Sequence, residues 1–333
     1  MTFRVGFHPL ADLVSPQQVL EESVIATNSG FEGIFIPDHF HPWNVAKGTP
    51  FAWTLIAAVA ERTRDVPVGT AVTCPLLRYN PAIVAQAFAT LGATYEGRIF
   101  LSLGTGEALN EIPTGNQWPK GGERLARLRE SIEVIRLLWS KEYSSFDGKY
   151  YKLKKANLFT KPRKPVPIYV SGFGPKATEL AGSLGDGWIT GNLPESYISE
   201  VLKPALESSL EKSGRGGPGY ERIAELLISY DKDIDKAVES SRIIAGAMEP
   251  EVQQNAVYDP REIKVFADKI TSEDLAGRRM AYDDPDDVVG ILESFAKQGF
   301  TWVEVASMSP DIHQFMDVFK KKVLPHLASS PRR

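Results

Sequence analysis

His39 and Glu107 are the residues of this chain best equipped to move protons, and each closely follows a short apolar run, over 33–37 and 99–103. Imidazole titrates near neutrality, and a carboxyl group at an apolar mouth can be tuned towards it, so the two can divide base and acid roles. The competing reading is structural: Asp38 and His39 cap the next helix or form an ion pair. His8, at the end of the first apolar run, is a weaker pocket candidate. His313 and His326 fall on the terminal helix, where surface positions are expected. His39 and His41 stand two residues apart, point to opposite sides of an extended chain, and have no third ligand at recognisable spacing, so no metal site is expected.

Anion binding is the second chemistry on offer. Gly172-Phe173-Gly174-Pro175-Lys176-Ala177 follows an apolar run and opens a helix. Free N–H groups and the helix dipole there suit a phosphate, with Lys176 adding charge. The run also fits the loose G-x-G-x-x-A pattern of dinucleotide folds. It lies outside the first βαβ unit, however, and the next strand ends in Thr190 rather than an acid, which disfavours nicotinamide. A glycine turn needed only for packing is the alternative. Trp43 and Trp188 are candidates to wall a flat ring, whereas core packing is expected for Trp53, Trp139 and Trp302.

The elements that must hold these groups alternate along the chain. Strands are expected over 3–7, 33–37, 66–73, 99–103, 167–170, 187–190, 223–230 and 302–306, with helices between them. Ser15 caps the first helix, with Pro16 at its first position and Gln18 completing a capping box, and Gly30 ends it. Asn80-Pro81 opens another, and 51–62 and 123–140 are helical. Eight strand–helix repeats predict an α/β fold, a (β/α)8 TIM barrel, rather than an open doubly wound sheet. The candidate groups all follow strands, the end where such barrels place their chemistry. Residues 1–333 are expected to form one barrel domain with insertions at about 143–164, a hairpin and basic loop, and about 240–283, extra helices over the C-terminal mouth. The 213–219 run is an αβ connection on the opposite face.

Composition agrees with this reading. The 333 residues are 43% hydrophobic and 24% charged, with 27 Gly and 23 Pro, which excludes disorder, collagen and coiled coil as whole-chain descriptions. One cysteine, Cys74, excludes intrachain disulfides and a cysteine-rich metal site and fits a reducing compartment. A net charge of −4 with scattered Lys and Arg gives no basic stripe, so no nucleic-acid partner is expected. No apolar run reaches the ~20 residues that span a bilayer, and Met1-Thr2-Phe3-Arg4-Val5 lacks a signal-peptide core, so a cytoplasmic protein with no membrane partner is expected.

Three segments carry a more specific likeness. Asp38-His39-Phe40-His41-Pro42-Trp43, the run from Arg78-Tyr79-Asn80-Pro81 to Thr90, and Gly104-Thr105-Gly106-Glu107-Ala108-Leu109-Asn110-Glu111 resemble the deazaflavin-dependent glucose-6-phosphate dehydrogenases. Those enzymes belong to the luciferase-like (β/α)8 superfamily and use coenzyme F420. Towards the C-terminus, Val257-Tyr258-Asp259-Pro260 and Ser307-Met308-Ser309-Pro310-Asp311 look closer to the deazaflavin-dependent secondary alcohol dehydrogenases of archaea. The resemblance implies a homodimeric barrel with the deazaflavin ring in its mouth, supported by a non-proline cis peptide at Ala71-Val72. It places cofactor contacts at Asp38, Cys74, Thr105, Gly106, Asn110, Phe173, Gly174, Lys176 and Ala177, with Cys74 a small packing residue rather than a nucleophile. It makes His39, Glu107 and Trp43 catalytic: His39 handles the substrate hydroxyl proton while hydride leaves for C5 of the deazaflavin, Glu107 protonates the ring side, and Trp43 packs against the reacting carbon.

The substrate positions depart from the sugar-phosphate pattern. Asp12 replaces a glutamate, and Arg278 matches the phosphate-binding arginine. The threonine position is Gly191, one lysine falls in Asn192-Leu193-Pro194, and the other is Gln254. Each lost charge-assisted contact is worth about 1.5–3 kcal/mol, unless Lys203 or Arg279 substitutes. A sugar 6-phosphate such as glucose 6-phosphate is the first expectation, because the matching motifs are denser in that half, and a neutral secondary alcohol is the alternative. An FMN-dependent luciferase-like monooxygenase and a non-catalytic cofactor-binding barrel are the readings from other classes.

Overall fold

The computed structural model describes residues 3–46, 48–191 and 193–329. Among them the strands, in chain order, are β1 (Arg4–His8), β2 (Ile34–Ile36), β3 (Val68–Thr70), β4 (Ile99–Leu103), β5 (Ser144–Asp147), β6 (Lys152–Ala156), β7 (Ile168–Ser171), β8 (Gly187–Thr190), β9 (Glu221–Tyr230), β10 (Ala281–Tyr282) and β11 (Trp302–Ser307). β5 and β6 pair antiparallel outside the barrel, and β10 adds two residues beside β9. The other eight run parallel in the order β1, β2, β3, β4, β7, β8, β9, β11, and β11 returns to β1 to close the ring. This is the (β/α)8 barrel that the eight repeats predict.

Strands buried on both faces read as continuous apolar runs. In β4, Ile99, Leu101 and Leu103 share the main core with helix residues such as Val84, Phe88 and Ile135. Phe100 belongs instead to an inner cluster with Phe35, Tyr169, Ile189, Ile223 and Trp302, the floor of the barrel. Its rings interlock, with centroids 4.7 Å apart for Phe35–Trp302, 4.8 Å for Phe35–Phe100 and 5.4 Å for Phe100–Tyr169. The Arg4 guanidinium lies 3.8 Å from the Trp302 ring centroid and pairs with Glu221 at 2.6 Å. Gly33 makes room for the indole, since a Cβ there would run into the Trp302 ring. Towards the C-terminal ends the lining residues shrink to Ala71, Gly104, Ser171, Gly191 and Ala306, and a cavity of about 900 Å³ opens.

Local signals hold at most boundaries. Ser15 Oγ accepts the Gln18 N–H at 3.2 Å, Pro16 opens the Pro16–Ser29 helix, and Gly30 closes it at φ 102°. The reciprocal half of the expected capping box is absent: the Gln18 amide donates to Glu22 at 2.8 Å, supplying a buried carboxyl one turn ahead. Asn80 caps Pro81–Thr94 by accepting the Ala82 N–H at 2.9 Å. The third strand is shorter than the expected 66–73, because the chain leaves the ladder at Ala71–Val72, where the peptide is cis, and returns only as a Thr73–Leu103 bridge.

The segments at about 143–164 and about 240–283 differ in consequence. The β5–β6 hairpin is fastened to the Gly121–Ser140 helix by Glu130, whose carboxylate accepts the N–H groups of Lys149, Tyr150 and Tyr151 at 2.9, 2.8 and 3.2 Å. It contributes nothing to the cavity wall. The later segment holds the short helices Arg242–Ala245, Pro250–Gln254, Pro260–Lys269 and Ser272–Gly277, and then β10, which the sequence pattern does not announce. Ala247 to Pro250, Arg278 and Met280 from this segment wall the cavity. No helix among the described residues is long and apolar enough to cross a membrane.

The floor generates a stability prediction. Trp302→Ala removes the central fully buried ring and is expected to cost about 3–5 kcal/mol, read as a lowered denaturant midpoint at unchanged slope.

Candidate active site

The loop after β2 is anchored before it presents its histidine. Asp38 accepts the hydroxyls of Thr73 at 2.7 Å and Tyr79 at 3.0 Å and pairs with Arg78 at 3.2 Å. Arg78 also donates to the Asp38 carbonyl at 2.6 Å and reaches Glu111 at 3.2 Å, while Glu111 accepts the Arg78 N–H at 3.0 Å. All three charged groups are buried. Burial outweighs the Arg78 charge at Glu111 and raises its carboxyl, and burial beside Asp38 pushes the Tyr79 phenol far up. Asp38 thus lines the cavity with both oxygens engaged by protein donors, which favours its structural reading.

His39 is held differently. Its Nδ1 lies 3.6 Å from Asp12 Oδ2 and its Nε2 3.7 Å from Glu107 Oε2, both beyond hydrogen-bond reach, and Nδ1 is buried without a partner. The Trp43 indole stands edge-on to the imidazole, with centroids 5.3 Å apart. Trp43 Nε1 donates to Glu107 Oε2 at 3.2 Å, and its backbone N–H donates to Asp12 at 3.4 Å. Asn110 ties the two loops together: its Oδ1 accepts the Phe40 N–H at 2.7 Å, and its Nδ2 donates to Glu107 Oε2 at 3.4 Å. Glu107 Oε1 receives no hydrogen bond from any described residue. The three residues expected to be catalytic, with Asp12, therefore form one contiguous group in the cavity wall.

Of the expected cofactor positions, Ala71, Val72, Cys74, Thr105, Gly106, Asn110 and Phe173 line the same cavity. Gly106 sits at φ 74°, and a Cβ there would run onto the Cys74 sulfur. Burial, reinforced by the Glu111 charge, holds the Cys74 thiol well above its ordinary range, so it packs rather than reacts. Gly174, Lys176 and Ala177 stand just beyond Phe173 at the start of Pro175–Leu184, where no side chain caps the first turn and a Cβ on Gly174 would meet open space. Trp188 is a correction to the ring-wall expectation. It is fully buried, donates to the Gly172 carbonyl at 2.9 Å and stacks on Phe300, so it fastens the glycine turn from behind.

The substrate positions divide. Asp12, Gly191 and Arg278 line the cavity, but Arg278 is already ion-paired to Glu249 and donates to the Ala245 carbonyl at 3.2 Å. Gln254 is exposed at the end of its helix, outside the wall. Its neighbour Gln253 takes the lining place, because the amide is turned to donate to Ala247 O at 2.7 Å. Asn192 lies outside the described residues. Neither Lys203, which donates to the Gln298 carbonyl, nor Arg279 reaches the cavity. Among the described residues no cluster suits a metal ion, and His313 and His326 are exposed.

The expected pocket candidate His8 lines the cavity, with two carboxyl partners that went unread in the sequence. His8 Nδ1 is hydrogen-bonded to Glu304 Oε2 at 3.2 Å, and Glu225 stands beside Glu304 in register across β9 and β11. Burial lowers the His8 imidazole, but the bond and charge of Glu304, with Glu225 and Asp12, raise it on balance. Burial first, then the Glu304 charge, lifts Glu225 to about 7. The available signal was one carboxyl in the middle of each of two buried runs, Ile223-Ala224-Glu225-Leu226-Leu227 and Trp302-Val303-Glu304-Val305-Ala306. From about pH 4.5 to about pH 7 the unfolded chain gives up the Glu225 proton before the folded chain does, so this group's stabilisation is lost as pH rises. Glu225→Gln escapes that loss. Its stability relative to the parent is expected to improve by on the order of 2 kcal/mol between about pH 5 and about pH 8 in urea melts.

Comparison with known proteins places this geometry. Residues 1–306 match the luciferase-like monooxygenase family. The chain is 39% identical to an F420-dependent glucose-6-phosphate dehydrogenase of Nakamurella multipartita, over 97% of this chain and 96% of that one. It is 38% identical to the protein of the same name from Mycolicibacterium smegmatis, over 97% and 98%. Among solved structures, an F420-dependent secondary alcohol dehydrogenase in complex with an F420–acetone adduct superposes with a TM-score of 0.93 at 35% identity, covering 98% of this chain and 99% of that one. With the barrel, the cavity and near-complete coverage in agreement, the chain belongs to the luciferase-like family, alongside these F420-dependent dehydrogenases.

Proposed function

We propose that this protein is a coenzyme F420-dependent dehydrogenase that oxidises a carbinol carbon to a carbonyl. The observation that carries the reading is His39: a side chain only 10% exposed, neither ring nitrogen hydrogen-bonded to a described residue, and a carboxylate within 3.7 Å of each. Full-length kinship to F420-dependent glucose-6-phosphate dehydrogenases, and the fold match to an F420-dependent secondary alcohol dehydrogenase, support the cofactor. The same kinship extends the proposal to a cytoplasmic homodimer.

The residues present fit such a group. Ala71, Val72, Gly104 and Ser171 leave a smooth, small-residue wall that a flat ring can lie against, with Thr105 and Asn110 as polar neighbours. The uncapped first turn of Pro175–Leu184, with Lys176, suits the anionic tail beyond Phe173. When bound, F420 supplies the deazaflavin carbon that takes up hydride. His39 accepts the hydroxyl proton of the substrate, and the charge it gains lies between Asp12 and Glu107. Glu107, fixed through Oε2 by Trp43 and Asn110, keeps Oε1 available to hold a proton. Trp43 sets the imidazole edge and closes that side of the pocket to water.

For the substrate, kinship favours a sugar 6-phosphate such as glucose 6-phosphate. A neutral secondary alcohol is the second reading, favoured by the neutralisation of Arg278 by Glu249 and by the bare Gly191. The test is F420 reduction followed by loss of its visible absorbance with alcohol present, against FMN as the control cofactor. His39→Ala is expected to lower turnover by about 10²–10⁴-fold with F420 affinity held within about threefold. Near-normal turnover in that variant would sink the assignment.

A further inference from the structure

One side of the cavity is left idle by the chemistry proposed above. The expected cofactor positions come mainly from the ends of β3, β4 and β7, whereas His8, Glu225 and Glu304 come from β1, β9 and β11, across the ring. Glu304 is engaged by His8 at 3.2 Å. Glu225 lines the cavity yet receives no hydrogen bond from any described residue. A half-buried carboxyl so placed faces the cavity without a protein donor, and a bound hydroxyl can supply one.

Charge points the same way. Six carboxylates line the cavity, those of Asp12, Asp38, Glu107, Glu225, Glu249 and Glu304. Its two guanidinium groups, Arg78 and Arg278, are already ion-paired, to Asp38 and Glu111 and to Glu249. A phosphate dianion entering this space meets like charge and no uncommitted Lys or Arg among the described residues, whereas a neutral hydroxyl meets acceptors.

Resting on the F420-dehydrogenase reading, and on its neutral-alcohol form rather than the sugar 6-phosphate that kinship favours, we propose that Glu225, backed by Glu304 and His8, is the specificity-determining wall for an unphosphorylated polyol. It accepts a hydrogen bond from a substrate hydroxyl other than the one whose proton goes to His39. The preferred substrate is therefore an uncharged alcohol with at least one further hydroxyl group. Burial beside Glu304 keeps the Glu225 carboxyl titrating near neutrality, so it can pair with a hydroxyl as acceptor or as donor. Sites built to bond a substrate hydroxyl discriminate strongly against analogues lacking it, because their polar groups are then left unpaired.

The experiment compares kcat/KM for F420 reduction by trans-1,2-cyclohexanediol against cyclohexanol, and by glucose against glucose 6-phosphate. The diol is expected to exceed cyclohexanol by about tenfold or more, and glucose to exceed its 6-phosphate. Glu225→Leu is expected to collapse the diol-to-cyclohexanol ratio about tenfold, mainly through KM, with F420 affinity by fluorescence titration within about threefold of the parent; Glu225→Gln retains most of the ratio. Preference for glucose 6-phosphate over glucose overturns the proposal. So does a ratio unmoved by Glu225→Leu in a variant whose melting temperature and F420 affinity match the parent. Failure of F420 to bind, with no turnover of any of the four alcohols, overturns instead the dehydrogenase reading on which the wall depends.

Discussion

Arg78 between Asp38 and Glu111 is the interaction on which the mouth of this barrel depends. The loops after β2, β3 and β4 each contribute one member, and each of those loops also carries a group of the site: His39 after Asp38, Cys74 before Arg78, and Glu107 before Glu111. With side-chain exposures of 6% for the arginine and none for its partners, no member can be removed without stranding a buried charge, at a cost of about 3–5 kcal/mol. The network is justified less by stability than by register. Thr73 and Tyr79 also bond Asp38, so the residue before His39 is anchored through both carboxylate oxygens. His39 can then stand without hydrogen bonds of its own, because its backbone is fixed from behind.

The barrel interior resolves a conflict between filling and emptying. A closed ring of eight strands has just enough interior for side chains, and a site for a ring system and a substrate must be cut out of that volume. The cut is sharp. Phe35, Phe100, Tyr169 and Trp302 fill the lower half, and Ala71, Gly104, Ser171 and Gly191 vacate the upper half. Bulky residues below are tolerated because glycine stands opposite them, at Gly33 against Trp302 and at Gly69 against Phe100. The pocket is thus built on a rigid aromatic base rather than on mobile loops.

Much of this was legible in the sequence, for identifiable reasons. Barrel strands are double-sided and apolar, so β4 and β8 could be bounded to the residue from composition alone. Ser15, Gly30 and Asn80 marked helix ends because capping is local chemistry. What escaped depended on distant partners. Gln18 turned to Glu22, a carboxyl whose burial is set by tertiary packing. Trp188 and Trp43 look alike as letters, and only the fold puts one behind the glycine turn and the other against His39. Gln254 and Gln253 differ by about 100° around a helix, enough to exchange solvent for cavity. Glu225 and Glu304 are more than 70 residues apart and become a pair only when β9 and β11 align.

The site's electrostatics are polarised along the axis of the barrel, and that polarity orders the rest. Deep in the cavity the groups are acidic and histidine-linked, Glu225, Glu304 and His8 on one wall and Asp12 and Glu107 around His39. At the rim the first turn of Pro175–Leu184 lies uncapped, with Lys176 exposed. A molecule with a flat neutral head and an anionic tail has one favourable orientation in such a field: head inward, tail at the helix start. Arg278, the guanidinium that the later segment adds to the wall, is paired with Glu249. The acid-rich interior also suits a proton acceptor, since a positive charge appearing on His39 has two carboxylates in attendance. Readiness to accept a proton then follows from one arrangement: carboxylates concentrated inside, with every described arginine of the wall already paired.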